Sequence, residues 1–391
     1  MRRRRAQSSL PVGATVGRSQ DGGSRVAAVC AERIRVPAYR PTYLNAVATA
    51  VPDHDIHDAF IGWAQTRVDP AARAVFARMA ARAGIGHRWS VLPATASGGS
   101  PVAADGFYGA GFPGTAARMA IYADAAPALA MAAIDGLAAA HDLGTVTHLV
   151  VASCTGFVAP GIDQIVATRL GLSPAVERLL VGFMGCYAAV AALRSARHIV
   201  RSDPAARVLV VTVELSTLHL RDETALEPLL AMLQFGDGAA AALVSAAPGG
   251  IELGRPFAAA LPDSADLIRW TITDQGFAMH LSGAVPGRIA AALADAAFVE
   301  TLTGGRPAAA LDWAVHAGGR SILDAVAHAL ALPDEALAAS RAVLADNGNM
   351  SSSTLMFVLA REIARGSARS GVALAFGPGL AAEGFAYGPP T

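Results

Sequence analysis

The stretch VGFMGCYAAVAAL, residues 181–193, places Cys186 where an apolar run meets a helix-forming run. The first N–H groups of a helix lack partners and carry partial positive charge, so they lower the pKa of a nearby thiol and favour the nucleophilic thiolate. A buried structural cysteine is the other interpretation, because free cysteines are among the most buried residues. Position alone does not decide between the two.

Two further residues supply what a nucleophilic cysteine needs. His316 ends the apolar run LDWAVH and is followed by small residues, and Asn349 lies in the polar cluster DNGNMSSS. Taken singly, each has an ordinary interpretation as a core histidine or a turn-forming asparagine. Together with Cys186 they provide a nucleophile, a base and a donor to an oxyanion, which are the groups that acyl transfer uses.

Strands and helices alternate in the sequence from Pro41 onward. Near-continuous apolar runs are typical of strands in a sheet covered on both faces. They occur at 147–153, 178–184, 207–214, 239–247, 311–317 and 371–379. Between the second and third runs, YAAVAALRSARHIVRS predicts a helix whose arginines Arg194, Arg197 and Arg201 face solvent.

This βαβ rhythm predicts an α/β fold with two related halves. We place the first half at 41–250, with the cysteine, and the second at 251–391, with the histidine and the asparagine. Residues 1–40 are polar, glycine-rich and headed by an arginine run, and we expect them to be a disordered leader or, alternatively, a targeting or anion-binding arm.

Composition excludes several classes of protein. The 31 basic residues, all arginine, balance 31 acidic residues, which gives no electrostatic case for a nucleic-acid partner. The hydrophobic fraction of 53% is rich in alanine, and no segment offers the roughly 20 strongly apolar residues of a membrane span. Three cysteines without a secretory signal predict a reducing, cytoplasmic location with at least one free thiol.

Five sequence blocks resemble the type III polyketide synthases, the chalcone synthase superfamily, in the same order. The first is HLVVASCTGFVAPGIDQIVATRLGLSPAVERLLVGFMGCYAAVAALRSAR, and the others are FGDGAAAALV, WAVHAGGRSILDAV, NGNMSSSTLMFVL and GVALAFGPGLAAEGF. The resemblance extends from about Pro41 to Tyr387. It implies a duplicated thiolase fold with five αβαβα layers, and a homodimer.

The resemblance also implies a reaction and its residues. Such enzymes load an acyl group from CoA onto a cysteine, decarboxylate malonyl-CoA, condense repeatedly and cyclise the product, with CoA thioesters as substrates and no metal or other cofactor. The nucleophile falls on Cys186, and the two other catalytic residues fall on His316 and Asn349. Phe235, before the GDG loop, falls on the phenylalanine that shapes the cavity entrance.

Contacts to CoA and to the cavity follow from the same comparison. Cationic CoA contacts fall on Arg78 and Arg82, while a third falls on Val75, and Gly319 lies beside them in the implied CoA site. Arg73 is a candidate replacement for the charge missing at Val75, and a solvated helix face is the ordinary interpretation of these arginines. The cavity and gate positions that the resemblance implies are Met279, Cys154, His219 and Trp270.

The character of the cavity positions bears on the product. Cys154 and Trp270 resemble bacterial members of the family, so a plant flavonoid is not the expected product. A flexible methionine at the second gate favours a fatty acyl starter and an alkylpyrone or alkylresorcinol product. The alternative is an aromatic polyketide primed by malonyl units, since Trp270 adds bulk to the cavity wall.

Two other enzyme classes share Cys, His and Asn. The ketoacyl synthases of the acyl-carrier-protein class usually have His-Gln-Ala-Asn where this chain has His-Ala-Gly-Gly. Papain-like hydrolases place histidine about 130–150 residues after cysteine, a spacing that this chain also has. The Cys-Gly-Ser-Cys-Trp block of those hydrolases is missing, however, and the surrounding pattern is α/β.

Overall fold

The computed structural model describes residues 40–390, so the expected leader lies outside the described residues except for Arg40. The strands are β1 Tyr43–Ala50, β2 His54–Asp55, β3 Trp89–Ser90, β4 His148–Ser153, β5 Glu177–Gly182, β6 Val208–Leu215, β7 Asp237–Ser245, β8 Ile251–Ala260, β9 Ile268–Thr273, β10 Gly276–Leu281, β11 Asp312–Val315, β12 Gly371–Gly377 and β13 Ala381–Gly388. The helices are α1 His57–Arg67, α2 Arg73–Ala81, α3 Thr115–Ala138, α4 Ile162–Arg169, α5 Ala188–Ser202, α6 Leu226–Met232, α7 Val285–Leu293, α8 Ala296–Thr303, α9 Arg320–Ala329, α10 Ala338–Asn347 and α11 Ser352–Arg365.

Nine of these strands form one mixed sheet in the order β11-β12-β13-β8-β1-β7-β6-β4-β5. Strands β1 and β8 share only the pairs Tyr43↔Glu252 and Leu44↔Ile251, so the sheet has two halves with a narrow join. In the first half β4 and β6 are parallel and β6 and β7 antiparallel. The second half repeats this pattern, with β11 and β12 parallel and β12 and β13 antiparallel. The same strand pairing thus occurs once in each half of the sheet.

Helices cover both halves of the sheet and also separate them. Helix α3 packs on β1, β6 and β7, helices α5 and α11 contact strands of both halves, and α9 packs with α7 and α10 on the outer side of the second half. Three separate groups of buried apolar residues fill the spaces between these layers. The result is a five-layer αβαβα arrangement.

The central position of α5 explains its small side chains and corrects one expectation. Its first five residues, all Ala or Val, are buried, which lets the helix approach strands on both sides. Two of the three arginines expected in solvent, Arg194 and Arg197, instead reach the second half of the sheet. Arg194 pairs with Glu383 at 2.7 Å, and Arg197 donates to the carbonyl oxygen of Leu253 at 2.9 Å. A helix enclosed between two sheet halves has little free solvent face, so its polar residues bond across the layers.

Helix α3 is long and apolar enough to cross a membrane by length and composition alone. Its residues Ala126, Ala130 and Ala133 are fully buried within the chain, and the helix packs along the first half of the sheet. A core helix of a protein domain satisfies the same criterion, so α3 is weak evidence for a membrane span.

Candidate active site

Cys186 lies in a short 3-10 turn, Gly185–Tyr187, between the end of β5 and the start of α5. A side chain at Gly185 would place its Cβ 2.3 Å from Pro378 Cδ, and the residue has a φ of 73°, so glycine is required there. Cys186 is only 7% exposed, and its Sγ lies 3.9 Å from Ser351 Oγ. The strand-to-helix position read from the sequence is therefore present, with a turn inserted before the helix.

Burial raises the pKa of the Cys186 thiol to about 12. Hydrogen bonds from Ser351 and Asn349 favour the thiolate, whereas the charge of Glu214 opposes it. The sequence led us to expect a lowered pKa from the helix N-terminus. In the structure, removal from water outweighs that effect, so the isolated site holds a neutral thiol.

His316 directly follows β11, and its backbone N–H donates to the carbonyl oxygen of Leu374 at 2.8 Å. The side chain is 2% exposed, and neither ring nitrogen has a hydrogen-bond partner among the described residues. Burial lowers the pKa of His316 to about 3, so the imidazole is neutral near pH 7. A buried polar group without a partner is costly, and this one is available to a bound substrate.

Asn349 lies in the loop between α10 and α11 and is held through its oxygen. Its Oδ1 accepts from the backbone N–H of Ser351 at 2.8 Å, which fixes the orientation of the amide. Its Nδ2 donates one hydrogen bond to the carbonyl oxygen of Gly318 at 3.2 Å. Since an amide nitrogen carries two hydrogens, the second remains for another acceptor.

These contacts bring the three predicted catalytic residues to one place. Asn349 bonds to the turn that follows His316, and a Cβ on Gly318 would stand 3.4 Å from His316 Nε2. Asn349 also interacts with the Cys186 sulfur. The cluster thus holds a thiol, a neutral imidazole and a carboxamide donor, the set that stabilises an oxyanion beside a nucleophile.

An inner cavity, one wall of which is Phe235 beside Asn349, contains about 680 Å³ of space free of atoms. Four of the predicted cavity and gate residues line it, namely Phe235, Met279, His219 and Trp270. Further apolar walls come from Ile56, Phe60, Leu92, Val102, Tyr108 and Phe277.

His219 has a structural role in the inner cavity. Its ring stacks on Phe277, with centroids 4.2 Å apart and planes inclined by 10°. Its Nδ1 accepts from the Phe277 backbone N–H at 3.0 Å, and its Nε2 lies 2.7 Å from the carbonyl oxygen of Thr155, to which it donates. Burial lowers the pKa of His219 to about 3. The imidazole is therefore a neutral wall that keeps Phe277 in place.

An outer cavity, larger and open to solvent, contains about 1890 Å³ of free space. Arg82 and Gly319 line it, together with Gly318 of the turn after His316. Arg78 is exposed on α2 but is not among the lining residues, so of the two predicted arginines only Arg82 faces this cavity.

Phe235 stands where the two cavities meet. It lines the inner cavity, whereas the preceding residue, Gln234, lines the outer one. The carbonyl oxygen of Gln234 accepts from the Asn349 backbone N–H at 2.8 Å, and the Gly236 N–H donates to the Asn349 carbonyl oxygen at 3.0 Å. The segment that separates the cavities is thus bonded to Asn349.

Cys154 is not among the residues that line either cavity, although a cavity position was expected for it. Its Sγ donates to Glu214 Oε1 at 3.2 Å and accepts from the Gly185 N–H at 3.0 Å. Burial raises the pKa of the Cys154 thiol well above its usual value, and the adjacent Glu214 carboxylate adds to this effect. Cys154 therefore supports the turn that carries Cys186.

Three residues near the cluster were missed by sequence reasoning. Glu214 is a lone acid in the apolar strand β6, fully buried, and its carboxylate accepts from Cys154, Thr155 and Ser352. Ser351, beside Cys186, has a φ of 48°, which is rare for a residue with a side chain. Arg320 lines the outer cavity. An acid within an otherwise apolar strand was the one signal visible in the sequence.

Comparison with known proteins places this architecture in a class. Residues 41–248 match the family of chalcone and stilbene synthases, N-terminal domain, and residues 252–387 match the C-terminal domain. The solved structure of PKS-I from the brown alga Ectocarpus siliculosus superposes with a TM-score of 0.81 at 28% identity, covering 90% of this chain and 98% of that one. The fold is thus the thiolase-like fold of type III polyketide synthases, as expected. The chain belongs to the chalcone and stilbene synthase family.

Individual relatives are similar over part of their length. The alpha-pyrone synthesis polyketide synthase-like Pks18 of Mycobacterium tuberculosis is 35% identical over 251 residues, 61% of this chain and 64% of that protein. The bisdemethoxycurcumin synthase of Oryza sativa is 37% identical over 297 residues, 69% of this chain and 73% of that protein. The matched region thus spans just under two thirds of the Mycobacterium relative.

Proposed function

We propose that this protein is a type III polyketide synthase that extends a Cys186-bound acyl starter by decarboxylative condensation with malonyl-CoA. The observation that carries the proposal is the grouping of Cys186, His316 and Asn349 next to Gly318, which lines an open outer cavity, and next to Phe235, which lines an apolar inner one. The outer cavity suits a CoA thioester arriving from solvent. The inner cavity suits an acyl chain.

Loading begins with transfer of the thiol proton to His316 as the acyl-CoA thioester binds. The Cys186 sulfur then attacks the thioester carbonyl, and collapse of the tetrahedral intermediate breaks the bond to the CoA sulfur. CoA leaves as the thiol when it takes up the proton held by His316. The two neutral partners of the resting site, thiol and imidazole, are the correct starting state for this step.

Extension uses the same histidine as a hydrogen-bond donor. The bond between the malonyl carboxylate and the α-carbon breaks, carbon dioxide leaves, and the electron pair forms an enolate whose oxygen accepts from His316 and Asn349. The α-carbon then attacks the acyl thioester on Cys186, and the cysteine leaves as thiolate. A neutral imidazole with a free ring nitrogen and an amide with a free hydrogen both fit the donor role.

The starter that we propose is a medium or long fatty acyl group, giving an alkylpyrone or alkylresorcinol. The walls of the inner cavity are mainly aliphatic and aromatic, and Met279 gives one of them a flexible side chain. The relative Pks18, named for alpha-pyrone synthesis, supports the pyrone alternative. A malonyl-primed aromatic polyketide remains the second candidate, because Trp270 and Phe277 narrow the same cavity.

The deciding experiment is product analysis by mass spectrometry after incubation with malonyl-CoA and acyl-CoA starters from four carbons upward. We expect kcat/KM to rise with chain length to a plateau, because each buried methylene contributes up to about 0.8 kcal/mol until the cavity is full. If kcat/KM does not change with chain length and malonyl-CoA alone gives a coloured aromatic product, the fatty acyl starter is wrong and the malonyl-primed reaction takes its place. Release of an acyl group without any condensation product would contradict the synthase proposal.

We also propose that the protein works as a homodimer. Strand β5 is an edge of the nine-stranded sheet, and its side chains Leu179 and Leu180 are 42% and 45% exposed. An exposed apolar edge strand has unpaired N–H and C=O groups that a second copy can cover. Sedimentation should show a dimer for the wild type and weaker dimerisation for Leu180→Asp. A wild-type monomer at micromolar concentration would refute the homodimer.

A further inference from the structure

A second guanidinium, which the sequence comparison did not indicate, lies at the outer cavity. Arg320 is the first residue of α9 and lines the cavity together with Arg82, although the two arginines come from different halves of the chain. The sequence resemblance implies three cationic contacts to CoA, and at one of these positions this chain has the uncharged Val75. Arg73, the candidate replacement, is exposed on α2 but does not line the cavity, so the structure offers Arg320 instead.

Contacts with the chain around Arg82 hold the Arg320 side chain. Its Nη1 donates to the carbonyl oxygen of Arg82 at 3.2 Å. Its Cδ passes close to Gly84, where an added Cβ would be 3.7 Å away. The guanidinium is about half exposed, with a side-chain exposure of 52%. Arg320 is therefore anchored beside Arg82 while remaining open to a ligand in the cavity.

Two acidic residues line the same cavity, and neither neutralises Arg320 fully. Asp324 lies 3.4 Å from Arg320 but pairs more closely with Arg341, at 2.7 Å. Glu227 accepts a hydrogen bond from the Gly283 backbone N–H at 3.3 Å. A guanidinium has five N–H donors, and these contacts occupy only two of those on Arg320. The others remain available to an anion.

We propose that Arg320 and Arg82 together bind a phosphate group of the CoA thioester, so that Arg320 supplies the cation missing at Val75. This inference rests on the proposed function. Phosphate oxygens match the planar guanidinium, which forms two parallel hydrogen bonds to them. Arg320 directly follows the turn from His316 to Gly319. Gly318 of this turn lines the same cavity and bonds to Asn349. A phosphate bound at Arg320 therefore leaves the rest of CoA in this cavity, beside the proposed catalytic residues.

Binding of free CoA tests the proposal without any dependence on turnover. Calorimetric titration of Arg320→Ala should give a dissociation constant for CoA raised about three- to tenfold, the range for losing an exposed charged contact. Arg320→Lys keeps the charge but not the paired donors, so its dissociation constant for CoA should lie between those of Arg320→Ala and the wild type. The matched control is Arg361→Ala, since Arg361 is a similarly exposed arginine, paired with Asp346 away from the cavity.

Three thioesters of malonate then separate phosphate binding from a structural defect. For Arg320→Ala, KM should rise for malonyl-CoA and stay at the wild-type value for the N-acetylcysteamine thioester, which carries no phosphate. If KM of Arg320→Ala is also raised for the malonyl thioester of dephospho-CoA, Arg320 contacts the diphosphate. If KM for that thioester equals the wild-type value, Arg320 contacts the 3′-phosphate.

Two results would overturn the proposal. One is an unchanged dissociation constant for CoA in Arg320→Ala, and the other is an equal loss of activity on the phosphate-free thioester. Failure of the proposed function is distinguishable from both, because it would appear as absence of condensation products in the wild type whatever the affinity for CoA.

Discussion

Asn349 donates a hydrogen bond from Nδ2 to the carbonyl oxygen of Gly318 at 3.2 Å and so joins the loop before α11 to the turn after His316. The two segments are 31 residues apart, and the loop before α11 also contacts Cys186 through Ser351 and Asn349. This bond uses one amide hydrogen of Asn349 and leaves the other for a further acceptor. The cluster of Cys186, His316 and Asn349 is therefore built from two turns of the second half and one turn of the first.

Replacement of Asn349 by alanine should impair decarboxylation more than starter loading. Loss of one oxyanion donor typically lowers kcat by about a hundredfold to a thousandfold. Carbon dioxide release from labelled malonyl-CoA measures the first step, and the acyl adduct on the intact protein measures the second. Release at the wild-type rate in Asn349→Ala would contradict the donor role.

The two buried cysteines should behave differently on substitution. Cys186→Ala should abolish both the acyl adduct and condensation, because its sulfur alone stands beside Asn349 and Ser351. Cys154→Ala should keep the adduct while removing the thiol donor to Glu214 and the sulfur that accepts from the Gly185 N–H, so we expect a loss of stability of about 1–3 kcal/mol. Cys154→Ser, which retains a donor, is the control. An adduct found on Cys154 by peptide mass spectrometry would reverse the assignment.

Buried neutral histidines should make the protein sensitive to acid. The pKa of His219 is about 3 in the folded protein against 6.5 for a free imidazole, so the folded state binds fewer protons between these values. The contribution to stability is thus complete above pH 6.5 and is lost as the pH falls towards 3. His219→Gln, whose amide can keep both hydrogen bonds, should reduce the slope of unfolding free energy by up to about 1.4 kcal/mol per pH unit.

Urea unfolding at several pH values between 7 and 4 measures that slope. The control is His328→Gln, because His328 is exposed at the end of α9 and makes no comparable buried contacts. If the unfolding free energies of the wild type and His219→Gln change with pH at the same slope, burial does not shift the pKa of this imidazole.

A larger side chain at Met279 should shorten the inner cavity. Met279 pairs with Trp270 across strands β9 and β10, and both line the cavity. Met279→Trp should lower kcat/KM for long starters by at least about tenfold, the equivalent of two excluded methylenes, and leave short starters nearly unaffected. Ile272→Trp adds the same ring at a side chain that is 51% exposed and lines neither cavity, and serves as the control. An equal loss across all starters would indicate general damage and remove Met279 from starter selection.

The sequence by itself determined the fold class, and it predicted the three side chains that we propose to be reactive. Buried strands such as β6 and β7 have continuous apolar runs because both faces of the sheet are covered, and that pattern is local. Taken singly, Cys186, His316 and Asn349 each had an ordinary structural interpretation. Their grouping followed from the resemblance and from chemistry that needs all three.

Only the tertiary structure decided the environment of those side chains. Burial, which depends on residues distant in sequence, gives Cys186 a raised pKa where the local helix start predicted a lowered one. Cys154 bonds to Glu214, 60 residues away, and so lies behind the site and not in the cavity. Arg320 reaches the entrance because α9 packs beside the end of α2, which no spacing in the chain reveals. Contacts between distant segments set solvation and charge, and these quantities have no local sequence pattern.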